Sequence, residues 1–156
     1  MDELRVPKRR TPVEIQLHGG AVHRVAVFLG DFAHDHAGPE RLSDLLNGLG
    51  DFVPAYDLDS DSMTFLNRGG VAVVRLSGYI EPDAAEQHTL PTEHDVEIVL
   101  NDGATLRGLV GYILPPEKSR LIDFLNDAPL FFRLLEQNAV ALINKRHVAR
   151  VALVEQ

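Results

Sequence analysis

Two histidines flank an aspartate in F-A-H-D-H-A-G-P-E-R-L-S-D-L-L-N, residues 32–47, and side chains of these types can bind a metal ion. In an extended segment His34 and His36 point to the same side, and the aspartate points to the other. Zinc needs at least three protein ligands, so a site here would need a further side chain. Three further side chains are available but not at a spacing that selects one: His18, His23 and Glu40. We interpret the segment as a polar loop and predict no metal, with His34 and His36 as the metal candidates.

A second pattern, R-L-x-D-x-L-N, occurs at residues 41–47 and again at residues 120–126. Arginine and aspartate three positions apart on a helix can form an ion pair on its surface. Asparagine tolerates the backbone conformation at a helix end. Because an active site is usually built once and this pattern occurs twice, we interpret it as a structural or interface motif. Its residues are Arg41, Asp44, Asn47, Arg120, Asp123 and Asn126.

The sequence contains no recognised catalytic signature. There is no G-x-S-x-G, H-E-x-x-H, P-loop or G-x-G-x-x-G pattern. There is also no cysteine, which excludes disulfides, thiolate catalysis and cysteine zinc sites. We therefore predict no catalytic residues, no cofactor and no enzymatic activity.

The composition is typical of a folded globular domain. The 156 residues are 45% hydrophobic and carry a formal net charge of −8. Because nucleic-acid affinity comes largely from Lys and Arg that neutralise phosphates, an acidic chain favours other partners. No apolar run reaches the roughly 20 residues of a membrane helix, and the N-terminal residues lack the apolar core of a signal peptide. We expect a cytoplasmic protein without membrane insertion.

The chain contains an internal duplication. V-E-I-Q-L-H-G-G-A-V-H-R at 13–24 aligns without a gap on V-E-I-V-L-N-D-G-A-T-L-R at 96–107. F-L-N-R-G-G-V-A-V-V-R-L at 65–76 aligns in the same way on L-I-N-K-R-H-V-A-R-V-A-L at 142–153. The R-L-x-D-x-L-N blocks lie between these segments in both copies. The second copy has Y-I-L-P-P-E-K-S where the first has its histidine pair, so the fold does not require the histidines.

Each copy predicts five strands and one short helix. The alternation of apolar and polar residues at 13–17 and 96–100 is typical of half-buried strands, and the Gly-containing positions that follow predict tight turns. Leu42, Leu45 and Leu46 fall on one face of a helix that is too short to be stable unless this face packs on an apolar surface. The other predicted strands are 22–29, 52–57, 62–66 and 71–76 in the first copy, and 105–114, 130–137, 139–143 and 148–154 in the second.

These elements predict a mainly β fold, with one short helix per repeat. We expect two tandem, small, five-stranded, barrel-like repeats related by pseudo-two-fold symmetry. A unit of this size buries little surface by itself, so the two repeats should pack on each other. The predicted boundaries are a basic N-terminal tail at 1–11, a first repeat at 12–77, an acidic linker at 78–94 and a second repeat at 95–156.

The order of the strands, with V-E-I-x-L-x-x-G-x-x-x-R at the front and I-N-K-R-H-V-A-R-V at the back, resembles the Sm-like and SH3-like small barrels. This resemblance covers most of each copy, and it implies an RNA site at the turn after the fourth strand. The residues that it implicates are Asn67, Arg68, Asn144 and Lys145. The R-L-x-D-x-L-N block is similar to one in small bacterial domains of unknown function, which implies a bacterial source and no particular activity.

Arg5 and Arg9 lie ahead of the first strand with an R-x-x-x-R spacing. This spacing is similar to the ligand motif of PilZ domains, which are six-stranded barrels that bind cyclic di-GMP. The resemblance implies nucleotide binding by the basic tail.

We predict a non-catalytic protein–protein interaction module, either an adaptor or an assembly component. Exposed edges of small sheets accept a partner strand, and the duplication provides two similar surfaces. The expected partner is another protein, and a homo-oligomer is also open. The alternatives are a PilZ-like nucleotide sensor and an Sm-like RNA-binding module.

Overall fold

A computed structural model describes residues 8–33, 36–77, 92–112 and 120–154. This part of the chain forms ten antiparallel strands and two short helices, so the prediction of a mainly β fold is confirmed. The strands are β1 (Lys8–Leu17), β2 (Val22–Gly30), β3 (Phe52–Asp57), β4 (Ser62–Asn67), β5 (Val71–Ser77), β6 (Thr92–Leu100), β7 (Thr105–Tyr112), β8 (Phe131–Leu135), β9 (Ala139–Asn144) and β10 (Val148–Leu153). The helices are α1 (Leu42–Leu46) and α2 (Leu121–Asp127).

The ten strands form one sheet, and its two halves have the same strand order. The full order is β10-β6-β7-β8-β9-β5-β1-β2-β3-β4. The first half, up to residue 77, contributes β5-β1-β2-β3-β4, and the second half, from residue 92, contributes β10-β6-β7-β8-β9. Antiparallel pairing of β5 with β9 joins the halves into a continuous sheet.

The predicted pair of barrel-like repeats is not confirmed, because the sheet that the described residues form is not closed. β5 pairs with β1 on one side and with β9 of the other half on the other, so it does not close on β4 of its own half. The predicted pseudo-two-fold relation is not confirmed either. A two-fold axis that pairs β5 with β9 would also pair β10 with β4, whereas β10 and β4 are the two terminal strands of the sheet. The halves are therefore joined head to tail.

Two strands begin inside segments that the sequence analysis placed in the tail and the linker. β1 begins at Lys8, inside the predicted tail 1–11, and its first residues pair with β2 from Lys8 opposite Gly30 onward. β6 begins at Thr92, inside the predicted linker 78–94. Residues 78–91 of that linker and Arg5 of the tail lie outside the described residues.

The hydrophobic core of each half includes side chains of the other half. α1 buries Leu42 and Leu46 in the first core, as its predicted apolar face requires. Phe131 and Leu142 of the second half belong to the same core, and β5 contributes Val73 to the core of the second half. Burial of one such large apolar side chain stabilises a fold by about 1.5–3 kcal/mol. The exchange of side chains therefore couples the folding of the two halves.

β7 and β8 approach each other closely at Gly108. A Cβ atom at this position would lie 3.0 Å from Cγ of Leu134 and would collide with the carbonyl oxygen of Leu135. β8 in turn pairs with β9, the strand that meets β5. The absence of a side chain at Gly108 thus helps to place β9 where the first half can pair with it.

Replacing Gly108 with Ala should therefore lower the free energy of unfolding by about 1–3 kcal/mol, the usual cost of overpacking. Urea denaturation measures this change. Gly70→Ala is the matched control, because a Cβ atom there has its nearest neighbour at 3.8 Å and the backbone is outside the left-handed region. The control should be neutral or slightly stabilising. Equal stabilities for the two variants would contradict the close approach of β7 and β8.

Candidate functional site

The halves meet along β5 and β9, where Val74 lies opposite Leu142 and Leu76 lies opposite Val140. This strand pairing, together with the side-chain contacts that flank it, is called the junction below. Arg75 adds an ion pair to Glu136 across the junction, with Nε 2.7 Å from Oε1. Both side chains are largely buried, and hydrogen bonding to Glu136 raises the pKa of Arg75 above its ordinary value.

Asn47, the last residue of the first R-L-x-D-x-L-N block, binds the backbone of the second half. Its Oδ1 accepts a hydrogen bond from the Phe131 amide at 2.8 Å, and its Nδ2 donates to the Phe131 carbonyl at 3.1 Å. The side-chain amide thus satisfies both backbone groups of one residue of β8, as a neighbouring strand would. The equivalent residue of the second block, Asn126, is exposed.

Asn144 is buried at the other end of the junction. Its Nδ2 donates to the carbonyl groups of Arg68 and Val71 at 3.1 and 3.0 Å, and its Oδ1 accepts from the Arg146 amide. Asn67 occupies the equivalent position in the first half. It accepts from the Gly69 amide in the same way but is exposed. Both asparagines therefore cap the single 3₁₀ turn before the fifth strand, and Asn144 also joins the halves.

The cationic side chains after these asparagines are engaged within the chain. Arg68 is buried, and its guanidinium donates to three carbonyl groups. One of them lies in the last turn of α1, and the other two lie in the segment after α1. These acceptors are Leu45, Leu49 and Gly50. Lys145, the equivalent residue, donates to the carbonyl of Ala128 just after α2. Because a helix end leaves carbonyl groups without intrahelical partners, both cations have a structural role here.

Arg9, the described member of the predicted R-x-x-x-R pair, lies at the start of β1. Its Nε is 3.6 Å from the carboxylate of Asp31, and about half of each side chain is exposed. Neighbouring Arg10 stacks over the Tyr56 ring with its guanidinium carbon 4.3 Å from the ring centroid. The basic residues 8–10 are therefore part of the sheet rather than a separate tail.

The two Arg–Asp pairs of the motif differ in their contacts. In α2 the predicted ion pair forms, with Arg120 Nε 3.1 Å from the Asp123 carboxylate. In α1 the Asp44 carboxylate accepts from the Arg41 backbone amide at 2.8 Å and from Nε2 of His36 at 2.6 Å. The first arrangement is an ion pair on the surface at the start of α2. The second connects the polar loop to the start of α1.

His36 has an acceptor on each ring nitrogen. Nδ1 is 2.9 Å from the Ala37 carbonyl, and Nε2 faces Asp44. The hydrogen bonds to Ala37 and then to Asp44 raise the pKa of His36 above 6.5. A ring that donates from both nitrogens has no lone pair for a metal. His34 lies outside the described residues, among which no three His, Asp or Glu side chains are grouped to hold a metal ion.

Large apolar side chains are exposed at the two ends of the sheet, on the terminal strands β4 and β10 and on β3 beside β4. Met63 and Phe65 of β4 are 51% and 67% exposed, Phe52 at the start of β3 is 59% exposed, and Leu153 of β10 is 58% exposed. Edge strands are usually protected from strand addition by charged residues or proline. The β4 sequence S-M-T-F-L-N contains neither. We identify the outer edges of β4 and β10 as the candidate binding site.

The sequence analysis missed these side chains, because strand order decides which strands are terminal. The duplication contained a usable signal, since Phe65 aligns on Leu142 and both are apolar. Only the pairing of β9 with β5 shows that one of the two is covered and the other is not.

Replacing Asn47 with Ala should lower the free energy of unfolding by about 1–3 kcal/mol, because both backbone groups of Phe131 lose their partner. Asn126→Ala removes the same residue from the same motif in the second half and should change stability by less than about 0.5 kcal/mol. Chemical denaturation of dilute protein measures both variants. Equal losses would indicate that the asparagine acts only within its own helix.

The His36 pKa should lie above 6.5 in the folded protein, and NMR titration of the ring Cε1 proton measures it. Because the folded pKa is raised, the contribution of His36 to stability should be complete below pH 6.5 and should be lost as the pH rises through the folded pKa. Asp44→Asn should lower the His36 pKa without abolishing the Ala37 contact. A wild-type His36 that titrates at or below 6.5 would contradict the observed pairing.

Comparisons with known proteins do not assign this chain to a family. No family model, no curated protein and no solved structure matches it. The similarity to Sm-like, SH3-like and PilZ barrels, and to bacterial domains with the R-L-x-D-x-L-N block, therefore stays a prediction. Within the described residues, no helix has the length and apolar character needed to cross a membrane.

Proposed function

We propose that the chain is a non-catalytic protein-interaction module, an adaptor or assembly component, that binds its partner by strand addition at the outer edges of β4 and β10. An added strand forms backbone hydrogen bonds with the edge, and its side chains cover those of the edge strand. A bacterial source and a cytoplasmic location belong to the same proposal.

The observation that carries the proposal is the exposed apolar character of β4. Met63 and Phe65 project from an edge strand that contains no charged residue. Soluble proteins rarely leave such an edge uncovered, because it promotes pairing with other chains. A partner strand that buried these two side chains would convert this liability into binding affinity.

The alternative of an RNA-binding or nucleotide-sensing module has less support from the contacts of its residues. Arg68, Asn144 and Lys145 donate to backbone carbonyl groups of the chain itself. An incoming phosphate would have to displace these hydrogen bonds, with a net cost for each. The formal charge of −8 also opposes a polyanion.

Affinity capture from an extract of the source organism, with quantitative mass spectrometry of the bound proteins, tests the proposal. Phe65→Lys places a charge on the β4 edge and should reduce the captured partner at least tenfold. Leu49→Lys is the matched control, because Leu49 is 98% exposed in the segment between α1 and β3. It should capture as much partner as the wild type.

Two outcomes would contradict the proposal. One is capture that is equal for wild type, Phe65→Lys and Leu49→Lys. The other is tight binding of cyclic di-GMP or an RNA oligonucleotide by the purified chain, measured by calorimetry and unchanged by Phe65→Lys.

A further inference from the structure

We propose that the partner of these edges is a second copy of the same chain, added head to tail, so that β10 of one molecule pairs with β4 of the next. This inference rests on the proposed function and names its partner. The junction inside each molecule would then be repeated between molecules.

The strand order provides the template. β4 is equivalent to β9, and β10 is equivalent to β5, because each half has the same order. Inside the molecule β9 pairs with β5, and this leaves β4 and β10 as the two terminal strands. When two equivalent units are joined head to tail, one unit keeps its head surface free and the other keeps its tail surface free. The unused surfaces here are the β4 edge and the β10 edge.

The duplication also fixes the register of the contact. Val74 lies opposite Leu142 at the junction, and the gapless alignment of 65–76 on 142–153 converts this pair into Val151 opposite Phe65. Leu76 opposite Val140 becomes Leu153 opposite Met63 in the same way. At these two pairs apolar side chains face each other, whereas Val73 opposite Ile143 becomes Arg150 opposite Leu66.

Burial differs between equivalent residues as the proposed contact requires. Leu142 and Phe131 complete the core of the first half and are 3% and 1% exposed. Their equivalents, Phe65 on β4 and Phe52 at the start of β3, are mostly exposed. In the assembly they would enter the core of the second half of a neighbouring molecule.

The receiving surface on the second half is correspondingly uncovered. α1 buries Leu42 and Leu46 in a core that also contains Phe131 and Leu142 of the second half. In α2 no residue is buried. Leu121 and Phe124 of α2 pack only partly buried against the second core. Ile122 of α2 and Leu153 of β10 are large, apolar and exposed.

The asparagine contacts have unused counterparts on the same two surfaces. Asn126 is exposed at the end of α2, where it can bind the backbone of Phe52 in the next molecule as Asn47 binds Phe131. Asn67 is exposed where it can donate to the carbonyl groups of Lys145 and Val148, as Asn144 donates to Arg68 and Val71.

Two junction contacts have no counterpart between molecules. Nε2 of His147 donates to the Gly69 carbonyl at 2.7 Å, and Gly70, which aligns with His147, has no side chain to repeat this bond. Ala152 aligns with Arg75, so the ion pair to Glu136 is not repeated. The contact between molecules consists of backbone pairing, apolar side chains and asparagine contacts, and it joins chains that each carry a charge of −8. Added salt should therefore strengthen the association by screening this repulsion.

The test measures the mass of the purified full-length chain by light scattering and native mass spectrometry over a hundredfold range of concentration. The wild type should form assemblies larger than 17.3 kDa, either a closed ring or an open filament according to the rotation at each contact. Phe65→Lys blocks the β4 edge, and Leu153→Lys blocks the β10 edge. Each variant alone should be monomeric, and Leu49→Lys should assemble like the wild type.

Mixing the two edge variants distinguishes head-to-tail pairing from a symmetric dimer. Phe65→Lys retains an intact β10 edge and Leu153→Lys retains an intact β4 edge, so an equal mixture should form a one-to-one dimer and nothing larger. If β4 paired with β4, Leu153→Lys alone would still dimerise. That result, or a wild type that stays at 17.3 kDa throughout, would overturn the inference.

Cysteine pairs provide a second readout that does not depend on charged substitutions. The natural chain has no cysteine, and the register places Thr64 opposite Ala152. Thr64→Cys combined with Ala152→Cys should give a ladder of disulfide-linked oligomers on mild oxidation, whereas Thr64→Cys alone should give no disulfide-linked oligomer on a denaturing gel. A cross-linked dimer of the single variant would overturn the inference.

The inference and the proposed function can fail separately. A purified chain that is monomeric, but that captures another protein in a manner that Phe65→Lys abolishes, would overturn self-assembly and leave edge binding intact. Loss of both self-assembly and edge-dependent capture would overturn the two together.

Discussion

The structure depends on the antiparallel pairing of β5 with β9. β5 pairs with β1 on one side, and its other edge has backbone groups that need a partner strand. β5 also carries apolar side chains that are buried, such as Val74 and Leu76. β9 provides this cover and brings Leu142 into the first core, while Val73 enters the second. If β5 had closed on its own β4, each half would have been a separate barrel. Pairing between halves instead produces one sheet with a shared interior.

The same few side chains do different work in the two halves. An asparagine at the end of the R-L-x-D-x-L-N block binds a strand of the other half in one case and is exposed in the other. The asparagine that caps the 3₁₀ turn follows the same division, with Asn144 buried and Asn67 exposed. Retention of both residues in both copies is explained most simply if both surfaces meet a partner.

The polar loop of the first half is not part of this common plan. His36 and Asp44 connect the loop to the first turn of α1 through a hydrogen-bonded pair. In the second half the equivalent aspartate, Asp123, pairs with Arg120 on the helix surface. The same motif position therefore supports either a loop contact or a local ion pair. A carboxylate at the start of a helix is favourable in both settings, because it interacts well with the helix dipole, and in α1 it also accepts the Arg41 backbone amide.

The sequence by itself determined the local elements. Period-two alternation and turn residues predicted the strands within a few residues, and the leucine face predicted α1. These signals arise from neighbouring positions along the chain. The duplication likewise predicted two copies of one unit, and the R-L-x-D-x-L-N block was interpreted as a structural or interface motif. Tertiary structure decided how the units join, since β4 and β9 are equivalent strands that both carry apolar side chains, and local sequence does not show which of them β5 pairs with. That choice made Leu142 a core residue and left Phe65 exposed, although the two occupy the same position in the repeat.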